Sequence, residues 1–153
     1  MVAKTALTVN FRVEGADEML RRFRGLPKDA DKELKDAAGE LVEDLVGGAR
    51  SAAQADRAPQ SRLLAPTVKA RRGRTPAIAA GGSKRVGRSR VPAFKVLFGS
   101  EFGSNQYKQF QRPHGGRQGY WFFPLVESES ELIGKAWLKA ADEIVDWFTR
   151  GRF

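Results

Sequence analysis

The chain has 153 residues, of which 41% are hydrophobic and 29% charged, with no cysteine and a net charge of +9. That length suits one compact domain with a modest core, and the lack of cysteine excludes disulfides, thiolate metal sites and sulfur redox chemistry. No stretch approaches the roughly 18 apolar residues needed to span a bilayer, and MVAKTALTVNF at the start has no targeting pattern, so a soluble chain is expected.

The basicity is local. Residues 1–60 are net −1, residues 61–100 net +10 without a single acid, residues 101–126 net +2 and residues 127–153 net −2. A like-charged block among prolines and glycines repels itself and points to a polyanion or an acidic protein surface as its partner.

Residues 5–13, TALTVNFRV, place Leu7, Val9, Phe11 and Val13 on one side at a period of two, which predicts a half-buried strand. After Gly15, ADEMLRRFRGL predicts a short helix with Asp17 and Glu18 in its first turn, ended by Gly25 and Pro27. From Pro27 to about Ala53, Leu34, Ala37, Ala38, Leu41, Val42, Leu45 and Ala49 recur at three- and four-residue spacing. A long amphipathic helix is expected, with Gly47 and Gly48 loosening its last turns.

Residues 55–92 form a basic, Pro/Gly-rich stretch in which LLAPTVKA and TPAIAA are candidate short strands, so a hairpin or a flexible arm is expected. The aromatic-rich stretch from Phe94 to Val126 then predicts two strands, Ala93–Gly99 and Gly119–Val126, joined through the glycine-rich bend RPHGGRQG. Ser128 and Glu131 have the spacing of a capping box and predict the start of a C-terminal helix. Its stripe is Leu132, Ile133, Ala136, Trp137, Ala140, Ile144, Val145 and Phe148, and Arg150 and Arg152 stand at its negative end. The expected fold is α+β, an antiparallel sheet with a long central amphipathic helix and a C-terminal helix packed on it, one domain over residues 1–153.

Little in this sequence gathers into a catalytic set. His114 is the single histidine and lies in the glycine-rich bend, a poor platform for a general base, so it reads as a polar loop residue. The helix acids, Asp29, Asp31, Glu33, Asp36, Glu40, Glu43 and Asp44, then Asp142, Glu143 and Asp146, stand three and four residues from Lys32, Lys35 and Lys139, as on solvated faces. Gly81-Gly82-Ser83-Lys84 lacks the full phosphate-loop pattern. Glu101, alone in FGSEFGS, is expected to pair with an arginine of the same sheet or of a neighbouring subunit. No catalytic, cofactor or metal site is assigned and the chain reads as a non-enzyme. The residues assigned to interface or polyanion contact are Arg71, Arg72, Arg74, Lys84, Arg85, Arg88 and Arg90, with Glu101, Phe102, Trp121, Phe122 and Phe123.

The long helix, the basic Pro/Gly-rich stretch, FGSEFGS at residues 98–104, the segment Trp121-Phe122-Phe123-Pro124 and the terminal amphipathic helix together resemble the tail-component family of long-tailed bacteriophages typified by gene product 10 of phage HK97. Glu101-Phe102-Gly103 matches that family's "EFG" phrase; APQSRLLAP at residues 58–66 stands where the family has a Thr-Gly pair. The resemblance implies a structural virion protein of the neck or tail, assembled in the host cytoplasm, acting in head-to-tail joining or tail completion. It further implies a closed ring, expected sixfold, beside the connector and the tail-terminator or tail-tube proteins, with DNA passing through the channel and no membrane. The alternative is a sequence-independent nucleic-acid-binding protein that uses the basic segment 69–90 to neutralise phosphates.

Overall fold

In the computed structural model residues 6–110 and 120–151 are described. The first strand, β1 (Ala6–Asn10), leads into a short helix, α1 (Ala16–Arg22), and a 3-10 turn, Phe23–Gly25. Pro27 then opens the long helix α2 (Lys28–Ala55), whose buried positions Ala30, Leu34, Ala38, Val42, Leu45, Val46, Ala49 and Ala53 keep the spacing expected from the sequence. It runs unbroken through Gly47 and Gly48. A Cβ at Gly48 would lie 3.5 Å from Leu125, in ordinary contact.

The basic stretch is built into the body of the fold. Pro59–Thr67 is a 3-10 helix, in place of the first half of the strand expected from LLAPTVKA, because Asp56 collects its start: Oδ2 accepts from Ser61 Oγ (2.6 Å) and Ala58 N (3.3 Å). Two short strands follow, β2 (Lys69–Ala70) and β3 (Ala77–Gly81), and β3 is the middle strand of an antiparallel sheet in the order β1-β3-β2. Ala6 faces Gly81 and Asn10 faces Ala77 across β1 and β3; Lys69 faces Ala79 across β2 and β3. Ala77, Ile78, Ala79 and Ala80 are all buried, as befits a strand covered on both faces. A separate two-stranded hairpin, β4 (Arg85–Val86) with β5 (Val91–Pro92), completes the segment.

Two expected strands are helices. Residues Ala93–Phe102 form α3, because its buried positions, Ala93, Val96, Leu97, Ser100 and Glu101, follow a helical repeat that Ser100 and Glu101 hide from a hydrophobicity reading. Gly103, at φ 79°, ends it in a backbone region where glycine costs least. The second expected strand, Gly119–Val126, is replaced from Phe122 on by the start of α4 (Phe122–Thr149), six residues before the predicted Ser128 start. The capping box does not form: Ser128 Oγ donates to Leu125 O (2.8 Å), and Glu131 pairs with Lys135 (2.8 Å). Arg150 closes the helix by pairing with Asp146 (2.9 Å), and Arg152 lies outside the described residues.

The residue that opens α4 is Glu101, fully buried on α3. Its Oε2 accepts from Trp121 N (3.1 Å) and Phe122 N (2.9 Å), and its Oε1 from Phe123 N (2.8 Å). A helix leaves its first amides without partners. Here the carboxylate takes those of residues 121 to 123, and Pro124 has none to offer. Glu101 O also accepts from Tyr120 N (2.9 Å), and Trp121 Nε1 donates to Ser100 Oγ (3.3 Å). This corrects the expected Glu101–arginine pair: its partners are backbone amides, a charge-assisted cap at the positive end of α4.

The two long helices pack antiparallel and divide the core in two. The C-terminal half of α2 joins the start of α4, the sheet and α3 around Val42, Ala49, Ile78, Leu97 and Phe122. Its N-terminal half joins the end of α4 and α1 around Leu34, Ala38, Phe23, Trp137 and Val145. The architecture is thus α+β, a small antiparallel sheet with the long helix and the C-terminal helix packed together on it. Among the described residues no helix is long and apolar enough to cross a membrane.

Glu101→Ala leaves these amides buried without an acceptor and is expected to lower unfolding free energy by about 3 kcal/mol or more in urea titrations. Burial pushes the Glu101 carboxyl above its ordinary 4.5, against the pull of the three amides. With the folded pKa above the unfolded one, the folded chain holds the proton more tightly, so the contribution is present at acid pH and is lost as pH rises from 4.5 through the folded value. The stability of the wild type relative to Glu101→Gln should therefore fall across that window, and a difference that rises there would contradict this assignment.

Candidate functional site

A groove of ≈ 730 Å³ lies between the β4–β5 hairpin, α3 and residues 104–110. Helix α3 builds one wall because Lys95, Phe98 and Phe102 lie on the helix face opposite its buried stripe. Phe98 and Phe102 stack with ring centroids 5.9 Å apart, and Phe102 continues to Phe123 at 5.7 Å. Ser104 Oγ accepts from the amides of Gln106 and Tyr107, both at 3.1 Å, a side-chain turn that sets Tyr107 on the opposite lip. Phe98 and Tyr107 are 52% and 53% exposed, high for large aromatic side chains.

Glycine makes the groove's inner wall. A Cβ at Gly99 would stand 2.5 Å from the Phe110 ring, so the ring lies directly on the α3 backbone. Across the groove the hairpin turns through Gly87 (φ 73°) and Arg90, whose φ of 51° is uncommon for a residue with a side chain. Arg85 Nη1 steadies the turn by donating to Arg90 O (2.9 Å). Among the described residues Arg88 and Lys95 are the charged side chains of the lining, and no carboxylate joins them. Gln60 Oε1 is buried in the same wall without a hydrogen-bond partner. Apolar rings, two cations and an unanswered acceptor suit an apolar group carried on an acidic surface.

The basic run is split between two places. Arg72 and Arg74 lie beside the first half of α2, where Arg72 pairs with Asp36 (3.4 Å) and Arg74 Nε approaches Asp31 to 2.7 Å, too poorly aligned for a full hydrogen bond. Arg71 is exposed on the same connection. Lys35, with Arg74, holds the Asp31 carboxyl below its ordinary value. These acids, expected on a solvated face with lysine neighbours, therefore also anchor arginines distant in sequence. Lys84, Arg85, Arg88 and Arg90 are exposed together on and beside the hairpin.

The aromatic assignments divide as well. Phe102 lines the groove and Phe123 is half-buried behind it. Trp121 (4% exposed) and Phe122 (0%) are core residues, and Glu101 is their cap, which corrects their assignment as contact residues. Phe98, Tyr107 and Phe110, which carry the site, were not singled out; the cue was the helical phase of Lys95, Phe98 and Phe102. His114 and the bend around it lie outside the described residues. Among the described residues no group of three or more His, Asp and Glu gathers to hold a metal ion.

Gly99→Ala is expected to push Phe110 off α3 and lower stability by about 1–3 kcal/mol in thermal melts. Phe110→Ala in the same chain should remove most of the added cost, since the nearest atoms to the added Cβ all belong to that ring; independent effects of the two substitutions would contradict the packing.

Comparison with family models, curated proteins and solved structures finds no match to this chain, so its functional reading rests on its own residues and their geometry.

Proposed function

We propose that this chain is a structural virion protein of a tailed bacteriophage, a neck or tail-completion component that assembles into a ring and does no catalysis. The observation that carries the reading is the use made of FGSEFGS, the phrase at the centre of the resemblance. Its glutamate is spent on the cap of α4, its two phenylalanines form a groove wall, and Gly99 seats Phe110. The last two of these roles shape a surface and the first fixes the helix junction behind it, and an exposed aromatic groove with a cationic hairpin is suited to protein contact. In this reading the neighbours are copies of the chain in a sixfold ring, the connector and the tail-terminator or tail-tube proteins.

A second reading, sequence-independent binding of nucleic acid in the channel, is favoured by the exposed cluster Lys84, Arg85, Arg88 and Arg90. The ion pairs of Arg72 and Arg74 with α2 weigh against extending that surface along the whole segment.

Electron microscopy of particles made with this gene disabled tests the first reading. Filled heads beside separate tails, or tails of uncontrolled length, are expected, with recovery on complementation; intact virions would refute a neck or tail role. For the second, duplex binding should weaken steeply as salt rises and weaken for all sequences alike in Arg88→Glu/Arg90→Glu. No retention of duplex at low ionic strength would end it.

A further inference from the structure

A second concavity, a cleft of ≈ 460 Å³, runs between the first half of α2 and the last turns of α4. Among the described residues its charged lining is acidic, Glu33, Asp36 and Glu40 from α2 and Glu143 from α4, although Asp36 already pairs with Arg72 (3.4 Å), and Trp147 stands on its edge 44% exposed. The aromatic groove has the opposite character, with Arg88 and Lys95 and no acid. The two surfaces cannot meet within one molecule. Ala53, in the same core cluster as Val96 of the groove lining, is thirteen helical residues beyond Glu40, about 20 Å along α2 at 1.5 Å per residue.

We propose that the acidic cleft between α2 and α4, with Trp147 at its edge, is the docking surface for the cationic hairpin and aromatic groove of a second copy of this chain. The choice of a second copy follows from charge: the charged lining of the groove is Arg88 and Lys95, that of the cleft is acidic, and both are present on the same chain. In that contact Arg88 and Lys95 face Glu40 and Glu143, and Trp147 lies against Phe98 and Tyr107, the exposed rings of the groove. Because the two surfaces differ, the contact can repeat head to tail, each end of the chain of copies keeping one free surface for the next until the arrangement closes. The proposal deepens the ring reading above and rests on it only for closure; the contact itself stands on the two surfaces.

Sedimentation velocity of the full chain tests it, with circular dichroism to confirm that each variant is folded. Wild type should self-associate at about 0.05 M salt and dissociate toward monomer at about 0.5 M, as screening shortens the reach of the charges. Arg88→Glu/Lys95→Glu and Glu40→Lys/Glu143→Lys, all at exposed positions, should each weaken association about tenfold or more, and the four substitutions combined in one chain should restore it. Trp147→Ala, which alters no charge, should weaken association at both salt concentrations.

Several results would overturn the contact. One is a wild type that stays monomeric at low salt; another is association indifferent to both charge reversals. A third is loss in each reversal without recovery in the combined chain, since the two surfaces would then not face each other. Rings that form with either reversal would overturn this contact and leave the ring reading standing, whereas intact virions from the disabled gene would refute the phage role whatever the chain does in solution.

Discussion

One buried carboxylate fixes the relation between the two C-terminal helices. Glu101 is fully buried and takes the amides of Trp121, Phe122 and Phe123, while its own carbonyl takes that of Tyr120. Desolvating a carboxyl is costly, and the cost is offset only where donors converge on it. The last turn of α3 must therefore sit against the first turn of α4, and Trp121 locks the junction from the side through Ser100. Phe102, next in sequence to the capping glutamate, points the other way and becomes a wall of the groove. The core junction and the surface feature are thus set by two consecutive residues on opposite faces of one helix.

The antiparallel pairing of α2 with α4 carries that arrangement across the molecule. Small residues on α2, Ala38, Ala49 and Ala53 among them, let other elements approach its buried face closely, and large side chains from α4, Phe122 and Trp137, fill the space. Trp137 also reaches the basic segment, donating from Nε1 to Arg74 O (2.8 Å). That bond ties the connection from β2 to β3 to α4, while Asp31 and Asp36 of α2 meet Arg74 and Arg72 of the same connection. The segment with the highest charge density is accordingly pinned at one end by ions and at its centre by β3, the buried middle strand. Its remaining arginines are displayed on a short hairpin with a fixed turn.

Elements whose buried positions are all apolar were legible in the sequence. Leu34, Ala38, Val42, Leu45 and Ala49 announce α2 without help, and Leu7, Val9 and Phe11 announce β1, although its ladder with β3 stops at Asn10. Helix α3 was not legible, because Phe94, Val96 and Phe98 alternate like a strand while two of its five buried positions are Ser100 and Glu101. The start of α4 was hidden for a different reason. Its cap lies 20 to 22 residues upstream, so no local pattern near Phe122 could report it, and the Ser128–Glu131 spacing offered a plausible local substitute. The same limit applies to the charges. The excess of arginine is visible in the sequence, but only the fold decides that Arg72 and Arg74 find acids on α2 and that Arg88 faces a groove.

Placing opposite charges on distant parts of one chain has a consequence for how copies would meet. A single molecule cannot satisfy its own two surfaces, and copies joined by the proposed contact repeat head to tail, closing into a ring or continuing as a filament. Long-range attraction between the hairpin and the acidic cleft would raise the encounter rate and orient the incoming copy, while the short-range contact of Trp147 with Phe98 and Tyr107 would decide how long it stays. Both surfaces are carried on helices and a constrained hairpin, and Glu101 and the α2–α4 packing hold their mutual angle. In an assembly closed by repetition, a small error in that angle is multiplied by the number of subunits. A buried, triply bonded cap at the junction of α3 and α4 is therefore where such a chain gains most from rigidity.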